Sequence, residues 1–331
     1  MSSQDKKNLC LIGALVVLAL GSLAISISFG SIPLSEKIVL NVFRHHSNSI
    51  NQEIILYLRL PRSLNAFITG GLLALAGTLL QTLLRNPLAD PYILGVSGGS
   101  AVASLLAILL GITSIGLSSI TFAGGLLAML IIFSLNYRAS HWNSSHLLLT
   151  GVMFAAGCGA AITLILTLSP DNILRSMMFW LIGEIYTGPV SKLGVVVLVI
   201  SLIVCLGLAR PLNLLSFGEL KARSLGVNTK QLTIFLFVLT ALLTATAVSI
   251  AGPIGFIGLI TPHILRLLGC YKHQFLLIGC VLLGGSLLCL ADTLARTLVA
   301  PVQLPVGAIT ALIGVPIFLV LLKTQANYVR H

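Results

Sequence analysis

Ten apolar runs, at 9–29, 64–84, 93–112, 115–135, 146–168, 193–209, 231–251, 254–268, 274–299 and 306–322, dominate the sequence. Spanning the ~30 Å hydrocarbon core of a bilayer takes about 20 helical residues. Inside that core each backbone N–H and C=O must find a partner, so continuous runs of this length read as helices. The eighth run is short and the ninth long. Charged residues make up only 8% of the 331, against about 25% in soluble domains. The expectation is one all-α integral membrane unit over 1–331, with about ten transmembrane helices. The first run follows Lys6 and Lys7 and exceeds the about 7–15 apolar residues of a cleavable signal, so it reads as a retained span.

The formal charge of +11 lacks the aromatic-interleaved basic cluster of a nucleic-acid binder, and a membrane accounts for it better. Cys10, Cys158, Cys205, Cys270, Cys280 and Cys289 form no CxxC pair and sit mostly in apolar runs. They read as small core residues with no disulfide frame, metal site or cofactor implied. Glycines inside the runs (Gly70, Gly71, Gly77, Gly284, Gly285) suit close helix packing.

Loop cations set an orientation. With the N-terminus inside, Lys6, Lys7, Arg85, Arg138, Arg210, Lys221, Arg223, Lys230, Arg266, Lys272, Lys323 and Arg330 fall on the inner face. Lys37, Arg44, Arg59, Arg62, Arg175, Lys192 and Arg296 fall outside. The positive-inside rule prefers this arrangement, which puts both termini in the cytoplasm.

No apolar run carries an acid near its middle; Asp292 lies near the outer end of the ninth. Ion-driven transporters usually place carboxylates or histidines there as relays. Energy would therefore come from elsewhere, or the protein is passive. The chain holds no GxxxxGK[ST] phosphate loop and no HExxH, GxSxG or paired carboxylates for hydrolysis. His45, His46 and His263 lack metal-ligand spacing.

The segment Arg210–Leu232 is the longest charged interruption in the second half of the chain. Lys221, Arg223 and Lys230 stand against Glu219, with leucines and Phe217 interleaved. The pattern predicts one or two short amphipathic helices at the membrane surface, the second ended by Gly226. A structured platform on which another protein pushes fits this pattern better than a plain connecting loop.

RLPRSLNAFITGGLLALAGTLLQTLLRNPLADPYILGVSGGSA (59–101) resembles the signature of FecCD-type permeases, importers of iron-siderophore, haem and cobalamin. FGELKARSLGV (217–227), AGPIGFIGLITPHILRLLG (251–269) and LPVGAITALIGVPIFLVLL (304–322) are similar in the same way. The resemblance runs from about residue 9 to 323. It implies the cobalamin/iron-chelate (type II) architecture: a ten-helix permease that pairs with a second one, as homodimer or heterodimer, around a central path. It also implies a separate cytoplasmic ATPase dimer, an extracytoplasmic solute-binding protein, and inverted pseudo-symmetry between helices two to five and seven to ten.

Site roles follow from the same resemblance. Arg59, Arg62 and Arg296 match family arginines that meet acids on the binding protein, reaching outward from the helix ends. For Arg59 and Arg62 interfacial snorkelling is an alternative; for Arg296 it is an i,i+4 pair with Asp292. Glu219, Ala222, Leu225 and Gly226 fall in the coupling region, with Ala222 and Gly226 expected to bed into the ATPase. Ser144 and Ser145, at the inner end of the fifth run, match residues narrowing the cytoplasmic mouth, or else they cap the helix. Asn86-Pro87, Asp90-Pro91, Gly95, Gly98 and Gly99 read as structural. The implied function is an ABC-importer permease for a metal chelate in the bacterial cytoplasmic membrane. An ATP-independent channel or facilitator and a non-transporting scaffold are the alternatives.

Overall fold

The computed structural model describes residues 3–31, 50–137 and 144–328, and these are helical without strands. In chain order the helices are α1 (Ser3–Ser28), α2 (Ile50–Leu84), α3 (Val96–Leu109), α4 (Ser114–Tyr137), α5 (Ser144–Leu168), α6 (Asp171–Ile182) and α7 (Lys192–Gly207). They continue with α8 (Ala209–Ser216), α9 (Glu219–Ser224), α10 (Thr229–Ala251), α11 (Ile257–Leu267), α12 (His273–Thr297) and α13 (Val306–Tyr328).

Each of the ten apolar runs holds a helix, but the lengths differ. Among the described residues α1, α2, α4, α5, α10 and α12 are long and apolar enough to cross a bilayer alone. The pair α7–α8 is bent by 67° and adds a broken seventh. With 11 residues α11 is ~17 Å long, and α3 with 14 is ~21 Å, so neither crosses ~30 Å by itself. The expected eighth span, 254–268, therefore consists of a short helix entered through an irregular segment. There Gly252 (φ 65°) and Phe256 (φ 72°) are left-handed, and the Tyr92 hydroxyl accepts the Ile254 N–H at 2.8 Å. Irregular backbone at membrane depth is tolerated where other protein groups satisfy it, as here.

The bundle is built around α2, which is buried along most of its length and packs against α10, α11, α12, α1 and α7. Its small residues allow this. A Cβ on Gly70 would collide with the Gly284 carbonyl of α12, and one on Gly77 with the Gly258 carbonyl of α11. These crossings hold two pairs of backbones in direct contact, the close approach that small residues provide in membranes. At the other extreme α5 packs on α3 and α4 and leaves Leu149, Val152, Met153 and Leu164 exposed.

Helix α2 begins earlier than the sequence pattern suggests. Instead of starting with the apolar run at residue 64, it extends back to Ile50 through a π-helical stretch, Ile54–Arg59, in which Leu60 N–H bonds to Ile55 O. Proline lacks an N–H and crowds the carbonyl four residues back. The wider turn ahead of Pro61 lets the helix pass through it instead of starting there.

Five of the cysteines are buried and Cys10 is exposed, in keeping with their reading as core residues.

Candidate functional site

Two differently built ends flank the bundle. At one end the chain brings together the C-terminus of α1, the start of α2 and the end of α12. Asp292 is fully buried there, and Arg59, Arg62 and Arg296 are each only 4% exposed. Arg62 Nη2 donates to Asp292 Oδ1 at 2.9 Å and its Nε to the same oxygen at 3.1 Å, while Nη1 donates to Gln303 Oε1 at 2.9 Å. Arg296 Nε lies 2.9 Å from Asp292 Oδ2, so the i,i+4 alternative is what the structure shows. Arg296 Nη2 also donates to the Ser26 carbonyl at 3.2 Å and hydroxyl at 2.9 Å. Arg59 Nη1 donates to the Ile27 and Ser28 carbonyls at 3.0 and 2.7 Å.

The chemistry of this arrangement is economical. The last carbonyls of α1 have no partners in their own helix and carry the negative end of its dipole. Arg59 and Arg296 supply both donors and positive charge. A single carboxylate holds two guanidiniums, so removing it would leave buried cations uncompensated. The arginines thus turn inward, and the expected outward reach is not what the structure shows. A cavity of about 240 Å³ still opens beside them, lined by Arg59, Arg62, Arg296, Gln303 and Thr187 among others. Three guanidiniums and one carboxylate give that cluster a net charge of +2.

At the other end meet the start of α1, the end of α2, the segment after α7 and the α11–α12 turn. Gln4 Nε2 donates to Gly269 O at 3.0 Å, Lys272 pairs with Asp5 at 2.6 Å, and the His273 N–H bonds to Asn213 Oδ1 at 2.9 Å. The cations Arg85, Arg210, Lys221, Arg223, Arg266 and Lys272 cluster on these segments. The predicted platform is present as α8 and α9, and Gly226 (φ 83°) follows α9 in the left-handed conformation.

Platform residues divide into internal and external sets. Ala222 is fully buried against its own chain, so it does not face a partner; α9, which carries it, packs on α8 and α10. Glu219 Oε1 accepts from Arg223 Nη2 at 2.7 Å and from Thr229 Oγ1 at 3.2 Å, which staples α9 to the first turn of α10. Phe217, Leu220 and Leu225 instead stand out at 70, 83 and 65% exposure. All three belong to the apolar residues interleaved in the platform sequence, but only Leu225 was expected at the ATPase contact. The side chains of Ser144 and Ser145 lie outside the described residues, although the backbone of α5 starts at Ser144.

In the turn after α2, Asn86 Oδ1 accepts from Leu88 N and Asp90 Oδ1 from Tyr92 N, and Gly95 is left-handed (φ 74°). Burial pushes the Asp90 carboxyl above its usual range, against the Tyr92 N–H bond, which lowers it. Sequence reasoning missed α6 altogether. Asp171–Ile182 lies in a connection between spans and buries only Met177, so no long apolar run marked it.

Over residues 15–324 the sequence matches the FecCD transport family. The chain belongs to the FecCD transport family. This FecCD chain is 42% identical to the hemin transport system permease protein HmuU of Yersinia pestis over 319 residues, covering 94% of this chain and 93% of the relative. It is 40% identical over 272 residues to the vitamin B12 import system permease protein BtuC of Escherichia coli O6:H1, covering 80% and 82%. Among solved structures, a chain from an inward-facing ABC transporter assigned to the metal-chelate type superposes with a TM-score of 0.84. It is 33% identical and the match covers 95% of this chain and 98% of that one. The FecCD chain is accordingly a membrane permease of the ABC transporter class, all-helical, with relatives that are transport subunits and not enzymes.

Proposed function

We propose that this permease imports a metal chelate (an iron-siderophore, haem or cobalamin) across the bacterial cytoplasmic membrane by alternating access, with ATP hydrolysed on a separate ATPase. The observation that carries the reading is the contrast between the two ends. One presents a cavity beside the buried Arg59, Arg62, Arg296 and Asp292 cluster, whose net charge of +2 suits acids on an extracytoplasmic solute-binding protein. The other presents Phe217, Leu220 and Leu225 on short surface helices, suited to a groove on a cytoplasmic ATPase.

In this reading Glu219, Ala222 and Gly226 shape the platform and Leu225 touches the ATPase. The basic end faces the cytoplasm, in line with the positive-inside rule, and carries the N-terminus with it. The exposed side of α5 borders a path shared with a second permease, with Ser144 and Ser145 at its inner mouth. The names of the relatives support haem and cobalamin as the substrate class. Coexpression with its ATPase subunit tests the assembly: the two should purify together through detergent extraction, whereas a chain that always emerges alone would favour a channel or scaffold.

A further inference from the structure

A cavity of about 730 Å³ opens where α2, α8 and α11 end and α12 begins, beside the platform. Its size is that of a small-molecule site. Arg85, Arg266 and Lys272 line it together with Tyr271, Gln274 and the platform's Phe217, and no carboxylate does. Of these three lining cations, only Lys272 has an acidic partner among the described residues, Asp5. Arg266 is half-buried, and its partner, Gln81 Oε1, is a neutral acceptor. Arg85 projects from a left-handed residue (φ 50°) just past α2 and has no hydrogen-bond or acid partner among the described residues.

Arg266, partly withdrawn from water with only a neutral partner, favours an anion as its complement, and the exposed Arg85 adds a second positive charge beside the same cavity. Guanidiniums match the oxygens of phosphate with paired, charge-assisted bonds. The position adds to this. The apolar spans end here and the amphipathic α8 bends away from α7 by 67°, and basic pockets at the ends of membrane helices are sites where phosphate headgroups bind. We propose that this cavity binds a phosphate-bearing anion, held by Arg85 and Arg266 with Lys272 at its edge. An acidic phospholipid and free phosphate present the same group, and experiment separates them. The proposal does not depend on what the protein transports.

The test uses the full chain purified in detergent, with native mass spectrometry to count retained lipids after adding phosphatidylglycerol or phosphatidylcholine. Thermal stability in inorganic phosphate and in chloride at equal ionic strength is measured in parallel. Wild type should retain phosphatidylglycerol preferentially, and Arg85→Gln/Arg266→Gln should bind it about tenfold more weakly with phosphatidylcholine unchanged. Stabilisation by inorganic phosphate that the variants lose, without a lipid preference, would identify free phosphate as the source and uphold the site. Equal retention of both lipids together with equal stability in both salts would overturn it, as would a phosphatidylglycerol preference untouched by the variants. Arg85→Gln alone, at an exposed position, decides the matter if the double variant fails to fold.

Discussion

Arg62 and Asp292, 230 positions apart in sequence, meet through three bonds: Arg62 Nη2 and Nε donate to Asp292 Oδ1 at 2.9 and 3.1 Å, and Nε also to Oδ2 at 3.2 Å. Asp292 is shared with Arg296, so one buried acid ties α2 to α12 and balances two guanidiniums. The pairing has a consequence for testing the docking of a binding protein. Reversing Arg62 to an acid would place two carboxylates together inside the protein, and lost uptake would then report lost folding.

Asp292→Asn should be more damaging than Arg62→Gln. The first strands two buried cations, the second leaves Asp292 paired with Arg296. Breaking a buried pair costs about 3–5 kcal/mol, so thermal unfolding of purified protein should rank wild type above Arg62→Gln and Arg62→Gln above Asp292→Asn. Equal stability of the two variants would mean that Arg296 does not depend on the shared acid.

Thr187→Glu is the cleaner probe of docking. Thr187 lines the cavity beside the arginines and is exposed. A carboxylate there opposes acids on a binding protein, and like charges facing each other across an interface cost several kcal/mol. Binding-protein affinity, measured at low ionic strength, should fall about tenfold with unfolding temperature unchanged, and added salt should narrow the gap. Unaltered affinity would remove this cavity from the docking surface.

On the platform, exposed and buried positions should behave oppositely. Leu220→Glu, at an exposed site, should change stability by no more than about 0.5 kcal/mol yet reduce permease-stimulated ATP hydrolysis several-fold. Ala222→Trp should lower stability first, because the side chain has no room against its own chain. Stimulated hydrolysis at the wild-type level in Leu220→Glu would move the ATPase contact elsewhere.

Gly77→Val tests the packing of the central helix. The added side chain meets the Gly258 backbone, which has no rotamer with which to yield. Overpacking of this kind costs about 1–3 kcal/mol or more, so the yield of monodisperse protein should drop sharply. Gly226→Ala should cost less, since only its positive φ opposes a side chain and nothing lies within 4 Å.

Much of this organisation was legible from local pattern. Apolar runs located the helices, and spacing located the platform and the left-handed Gly226. What was hidden depends on distance in sequence or on local bonding. Asp292 was noted as the acid four residues before Arg296, but nothing in the sequence joins it to Arg62. The family resemblance put Ala222 at the ATPase contact, and only the folded chain shows that it is fully buried within its own chain. The π-helical stretch before Pro61 and the irregular entry to α11 also escaped hydropathy, which measures apolarity and is blind to hydrogen-bond register.

The central claim, ATP-driven import of a metal chelate, is tested most directly by uptake into proteoliposomes holding the permease with its ATPase and loaded binding protein. Hemin and cobalamin are the first substrates to try. The account predicts that one of them accumulates only when ATP is supplied on the ATPase side, and that accumulation fails when the ATPase is omitted. Equilibration of the chelate at the same rate without nucleotide would contradict it and establish a passive facilitator.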